Sequence, residues 1–340
     1  MTLSILFIAA CFLAFSNGAN DNFKGVATLF GSGTTDYKKA INWATLTTLA
    51  GSIAAVFLAE ELVKNFSGKG LVPQELIQTP VFAISIAMGA AITVYIATKI
   101  GMPISTTHSL VGALFGTGVI AVGSEFNFQK LGNTFLMPLI ASPLIAAILS
   151  LVCYFILHSG RKICRITTEE NEGAITTYQG NFLSLSIQKI VDFFHYISSG
   201  VVSFARGLND TPKIVGLLLI IKVLDIQWSM IAIAVTMAIG GLAKAKKVGE
   251  TMSKKITPMN AGQGLTANMI TGLLVTTASI HGLPVSTTHV SVGAIFGIGT
   301  LTKKADLKTI SKIVLSWVLT LPIAALLSGS LFLLLRMICY

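Results

Sequence analysis

Residues 101–118 read GMPISTTHSLVGALFGTG, and residues 282–299 read GLPVSTTHVSVGAIFGIG. Twelve of these eighteen positions are identical, at an offset of 181. Further upstream, Asn20-Asp21 recurs as Asn209-Asp210, at an offset of 189. One short match arises by chance. Two matches in the same order mark a duplicated unit, an organisation common among secondary transporters.

The material around these motifs is apolar. Of 340 residues, 24 are Lys or Arg and 14 are Asp or Glu, so charged residues make up 11% and apolar ones 53%. Mean hydropathy is +0.78. A soluble domain carries about 25% charged residues, and less than half that supply does not cover a surface facing water. A soluble enzyme, a disordered chain and a nucleic-acid-binding module are excluded, and an integral membrane protein remains. The net charge of +10 then reads as basic cytoplasmic loops, not as affinity for nucleic acid. Cys11, Cys153, Cys164 and Cys339 form no Cys-x-x-Cys pair, so neither a disulfide framework nor a zinc site is expected. The opening apolar run lacks a basic start and a small-residue cleavage site, and it reads as part of the mature protein.

A helix needs about 20 mostly apolar residues to cross a bilayer. Candidates are 41–59, 81–98, 136–157, 229–243, 262–280 and 313–337. The runs 3–30 and 190–221 are interrupted by NGANDNFKG and ARGLNDTPK, and 102–122 and 283–301 are rich in Gly, Ser and Thr. The same order therefore occurs twice: broken helix, helix, helix, Gly/Ser/Thr-rich segment, helix. The division is 1–158 for the first repeat, 159–187 for a polar, solvated cytoplasmic linker, and 188–340 for the second repeat. With five net crossings per repeat and the N-terminus outside, Lys38, Lys39, Lys99, Arg161, Lys162, Arg165, Lys189, the lysines of 244–255 and those of 303–312 fall inside. Lys64, Lys69, Lys130, Lys222 and Arg336 fall outside. The positive-inside rule favours this arrangement, and an odd number of crossings inverts the second repeat. The expected fold is an all-α polytopic membrane protein of two inverted-topology repeats, with broken helices and hairpin-like Gly/Ser/Thr-rich segments.

Asp21 and Asp210 lie inside the broken helices, not in loops. A carboxylate at membrane depth costs at least ~2.5–3.5 kcal/mol on insertion scales, so it faces a partner or an ion path. Asn20 and Asn209 add hard oxygens, and Gly18 and Gly207 are expected to let the backbone unwind and expose carbonyls. Oxygen-only ligation suits Na⁺ at Asp21 and Asp210. In the STTH motifs, Gly101 and Pro103, then Gly282 and Pro284, end one segment, and a new helix opens. Its first amides lack intrahelical partners and sit at the positive end of the helix dipole, which suits an anion. Ser105, Thr106, Thr107, Ser286, Thr287 and Thr288 add donors without charge, around one tetrahedral anion. Ser and Thr there also serve as plain N-caps. His108 and His289 either relay protons or hold their helix starts. Gly112/Gly116 and Gly293/Gly297 are spaced for close helix packing. No catalytic residue, enzymatic activity or cofactor is expected.

These paired motifs resemble those of the inorganic phosphate transporter (PiT) family, which includes sodium-dependent phosphate symporters, and the resemblance spans nearly the whole chain. It implies two inverted repeats that carry phosphate with Na⁺, or with H⁺ or as a metal-phosphate complex in some members, and a homodimer in the cell membrane. It also implies that Asn20, Asp21, Asn209 and Asp210 serve cation sites, and that the six Ser and Thr residues hold phosphate. GANDNFKG departs from the usual GAND followed by small residues, and RGLNDTPK carries Leu208 where Ala is usual. Lys24 and Lys213 are thereby added beside both sites as candidate modulators. The leading expectation is Na⁺-coupled phosphate import. A proton-coupled phosphate or sulfate permease is the alternative within the family, and an anion channel the alternative outside it.

Overall fold

The computed structural model describes residues 2–163, 166–170, 176–182, 184–219 and 225–339. Cys164, Arg165, Glu172, Lys222 and the end of the run 190–221 lie outside these residues.

The first half runs α1 (Thr2–Asp21), a 3₁₀ stretch (Asn22–Val26), α2 (Ala27–Gly31), α3 (Tyr37–Leu58), the short α4 (Glu60–Phe66) and α5 (Gln74–Ile77), then α6 (Pro80–Ile100) and α7 (Thr106–Val122). The short α8 (Phe128–Lys130) and a π-turn lead into α9 (Met137–Ile163). The second half runs α10 (Ile187–Val215), α11 (Ile226–Lys244), the short α12 (Lys246–Lys254), α13 (Ala261–Ile280), α14 (Thr287–Thr302) and α15 (Leu307–Cys339). Among the described residues, seven helical stretches are long and apolar enough to cross a membrane. The chain is an all-α, multi-pass integral membrane protein.

Local signals set the ends of these helices. Asp36 caps α3 by accepting from Lys39 N at 2.9 Å, and Asn260 with Gln263 forms a reciprocal capping box on α13. α6 and α13 stop in the same way. Gly101 and Gly282 sit at φ 75° and 69°. The pair of bonds Met102 N to Ala97 O and Gly101 N to Thr98 O recurs as Leu283 N to Ala278 O and Gly282 N to Ser279 O. This is the Schellman geometry that glycine permits, and Pro103 or Pro284 follows each time, preventing resumption of the helix.

Packing repeats between the halves. α1 lies against α6 and α11, and α10 lies against α13 and α3. A Cβ on Gly18 would sit 1.9 Å from Met237 O, and one on Gly207 would sit 2.1 Å from Thr48 O. The sequence suggests that these glycines unwind their helices; instead both helices stay wound there, and the glycines admit a neighbouring backbone. The last helices are exchanged: α15 packs on α7, and α9 packs on α14. Gly112 and Gly116 meet the carbonyls of Leu321 and Ala325, and Gly293 and Gly297 meet those of Pro143 and Ala147. The GxxxG spacing thus supplies close helix contacts.

Three expectations change in detail. The first interrupted run breaks at Asn22, directly after Asp21. The second stays α-helical through Asn209, Asp210 and Pro212, and tightens to 3₁₀ only at Gly216–Leu218. Proline removes one intrahelical bond, and at Pro212 the dense packing of α10 against α3 and α13 holds the helix together. The polar linker is shorter than 159–187, because α9 continues to Ile163. The linker is also docked: β1 (Thr168–Glu170) pairs with β2 (Thr176–Tyr178), and β3 (Asn181–Phe182) with β4 (Leu185–Ser186). The Tyr178 hydroxyl donates to Asn260 Oδ1 at 3.1 Å, and burial pushes this phenol up to about 12. Finally, each Gly/Ser/Thr-rich segment is one helix that begins inside the bundle.

Candidate substrate and cation site

The starts of α7 and α14 meet the C-terminal ends of α1 and α10 at the centre of the molecule. Ser105 caps α7 through its Oγ, which accepts from His108 N at 3.1 Å, and Ser286 caps α14 by accepting from His289 N at 3.3 Å. These two serines therefore fill the structural role of an N-cap. The next residues face the centre. Thr106 Oγ1 donates to Asp21 Oδ2 at 3.0 Å, and Asn209 Nδ2 donates to Thr287 Oγ1 at 3.3 Å.

The two lysines organise the site. Lys24 Nζ donates to Asn20 Oδ1 at 2.9 Å, to Asp21 Oδ1, to Ile104 O at 2.6 Å and to Thr288 Oγ1 at 2.7 Å. Lys213 Nζ donates to Val285 O and Thr107 Oγ1, both at 2.7 Å, and lies 3.5 Å from Asp210 Oδ1. Ile104 and Val285 occupy matching places in the two STTH motifs, as do Thr107 and Thr288. Each ammonium thus bonds the carbonyl before its own half's helix start and a threonine hydroxyl at the start from the other half.

Residues not singled out from the sequence complete the site. Asn17 Nδ2 lies 3.1 Å from both Asp21 Oδ2 and Asp210 Oδ2, so one amide bridges the carboxylates of the two halves. Arg206 Nη2 donates to Asn17 Oδ1 at 2.6 Å, and its Nη1 donates to Asn22 Oδ1 at 3.0 Å. Its Nε stands 3.7 Å from Asp210 Oδ2. Asn20 Nδ2 donates to Thr98 Oγ1 at 2.9 Å, and Ser279 Oγ donates to Asn209 Oδ1 at 3.2 Å. Thr98 and Ser279 stand at the offset of 181, just ahead of the aligned motifs, so extending that alignment would have found them.

The whole constellation is shut off from solvent. Asn17, Asn20, Asp21, Lys24, Thr106, Thr107, Asn209, Asp210, Lys213, Thr287 and Thr288 are each at most 4% exposed. Isolated charges at this depth are strongly disfavoured, and mutual pairing with hydrogen bonds offsets that cost. The histidines lie to one side. Their rings are 4.3 Å apart, and His289 also stacks on Trp317 at 3.8 Å. His289 Nδ1 is 3.3 Å from Leu139 O. Among the described residues, neither ring hydrogen-bonds Asp21, Asp210, Lys24 or Lys213. Cys11 and Cys153 are free thiols, and Cys339 ends α15. Among the described residues, no cluster of His, Cys, Asp and Glu could hold a metal ion; an oxygen cage for an alkali cation is a separate matter.

Buried polar groups from two helix starts and two intramembrane carboxylate helices define a membrane transporter, not an enzyme. The chain matches the phosphate transporter family over residues 17–328 and belongs to that family. It is 27% identical to a probable low-affinity inorganic phosphate transporter of Bacillus subtilis, over 99% of this chain and 98% of the relative. It is also 27% identical to a protein of the same description from Rhizobium meliloti, over 95% and 93%. Its fold is similar to that of a solved sodium-dependent phosphate transporter, with a TM-score of 0.84 over 99% of both chains at 23% identity.

Proposed function

We propose that the chain imports inorganic phosphate across the cell membrane as a secondary transporter, by alternating access between its two inverted repeats, and that two copies of the chain form a homodimer. The observation that carries this reading is the sealed polar centre built at matching positions of the two halves. A polar site without a path to water takes up and delivers a solute only if the halves move relative to one another. The amide ends of α7 and α14 and the hydroxyls of Thr106, Thr107, Thr287 and Thr288 form the phosphate-binding group. Ser105 and Ser286 hold those helix starts in place.

For the driving ion, Na⁺ held by Asn20, Asp21, Asn209 and Asp210 is the reading that the sequence suggests, and the name of the structural relative agrees with it. A second reading, coupling to H⁺ in place of Na⁺, has one observation in its favour: Lys24 already bonds Asn20 and Asp21, and Lys213 already bonds Asp210. The test of the phosphate reading is uptake of labelled phosphate into liposomes containing the purified protein. Saturable uptake, inhibited by arsenate, is expected. Uptake that rises linearly with concentration would indicate a channel, and preferential uptake of sulfate would indicate a sulfate permease.

A further inference from the structure

We infer that Lys24 and Lys213 are tethered substitutes for coupling cations: each ammonium fills the oxygen cage a Na⁺ would occupy, so transport does not require Na⁺. The inference rests on the phosphate-carrier reading and changes what drives it.

The cage around Lys24 consists of one carboxylate (Asp21), one amide oxygen (Asn20), one backbone carbonyl (Ile104) and one hydroxyl (Thr288). All are hard oxygen donors of the kind that bind cations of low polarisability. Around Lys213, three of these four kinds recur at matching positions: Asp210, Val285 and Thr107. An ammonium offers three donors and no acceptor, so an all-oxygen surround satisfies it fully. Each lysine lies three residues beyond its aspartate, one turn along the same stretch of chain. A free Na⁺ would have to displace a cation that is anchored beside the site, whose effective concentration is on the order of millimolar or higher.

Charge leads to the same conclusion. Among the described residues, the buried Asp, Glu, Lys and Arg side chains are Asp21, Lys24, Arg206, Asp210 and Lys213. Three cations face two carboxylates, which leaves one positive charge before any ion enters. A singly charged anion balances that set. Two added Na⁺ ions would raise the surplus further in a medium that strongly disfavours unbalanced charge.

The test uses the full-length protein in liposomes, with initial rates of labelled phosphate uptake measured in Na⁺, K⁺ and N-methylglucamine media. Equal rates in all three, within roughly twofold, are expected. A rate roughly tenfold or more higher in Na⁺ would overturn the inference. Lys24→Ala empties one cage, so its uptake or its thermal stability should become Na⁺-dependent while the wild type stays indifferent. Wild-type uptake by Lys24→Ala in all three media would also overturn it. If Lys24→Ala does not fold, the wild-type comparison still decides. If folded wild-type protein takes up no phosphate in any medium, the phosphate reading fails instead. The inference then stands or falls on whether Na⁺ raises the melting temperature of the wild type.

Discussion

Arg206 donates to the side-chain oxygen of Asn17 at 2.6 Å across 189 residues of chain, the same spacing that separates Asp21 from Asp210. Each therefore holds, in its own half, the place the other holds in its own. Two arginines there would repel each other, and two asparagines would remove the positive charge left over once Lys24 and Lys213 balance the two carboxylates. The duplication has diverged where its copies touch.

Asn17→Ala removes the acceptor for Arg206 and the donor to both carboxylates. It should lower stability by about 1–3 kcal/mol, the cost of leaving buried polar groups unpaired. The double variant Asn17→Ala/Arg206→Met should lose less than the sum of the two single changes, because it leaves no guanidinium unpaired. Thermal unfolding in detergent measures both. A wild-type melting temperature for Asn17→Ala would mean the bridge is not stabilising.

Asp21→Asn and Asp210→Asn preserve side-chain shape but leave Lys24 or Lys213 without its carboxylate. Each should reduce phosphate uptake roughly tenfold or more, equivalent to about 1.4 kcal/mol, while the protein still inserts and elutes as a single species. Uptake at the wild-type rate in both variants would remove these aspartates from the transport cycle.

Gly207→Ala places a methyl carbon 2.1 Å from Thr48 O, a backbone atom that cannot swing aside. Strong destabilisation is expected, seen as loss of folded protein after solubilisation. Gly160→Ala in α9 meets nothing within 4 Å and should be neutral, or stabilising by roughly 0.5–1 kcal/mol from helix propensity. Equal behaviour of the two would argue against the close approach of α10 to α3.

The segment around α12, bearing Lys244, Lys246, Lys247, Lys254 and Lys255, should face the cytoplasm, and the loop around Gly70 should face outward, as the distribution of basic residues requires. Single cysteines at positions 70 and 250, in a background with the native cysteines replaced, can be labelled on intact cells with a reagent that does not cross the membrane. Labelling at 250 without labelling at 70 would reverse the topology.

Much of the architecture is written in the repeated motifs. The Gly-x-Pro stops, the STTH starts and the GxxxG faces all depend on residue type and spacing, which a linear pattern preserves. The state of the second carboxylate helix is not: ARGLNDTPK carries a glycine and a proline, yet packing on both sides of α10 keeps it wound. Asn17 and Arg206 escape notice because equivalent positions hold different residue types, so self-comparison finds nothing there. Lys24 and Lys213 are visible as unusual charges, but their partners Thr288 and Thr107 belong to opposite halves. Which of two helix starts an ammonium reaches is a fact of three dimensions.

The glycine face of α7 is covered by α15, some two hundred residues later in the chain, and α9 covers the corresponding face of α14. During synthesis, then, the first repeat enters the membrane with a backbone-lined groove open along Gly112 and Gly116, and that groove stays open until α15 arrives. Neither repeat is a finished object alone. Severing the chain between α9 and α10 would leave two fragments, each lacking the helix that closes it, able to assemble only by clasping one another. A truncation that removes α15 would be felt first in the other half of the sequence, where it uncovers Gly112 and Gly116 of α7.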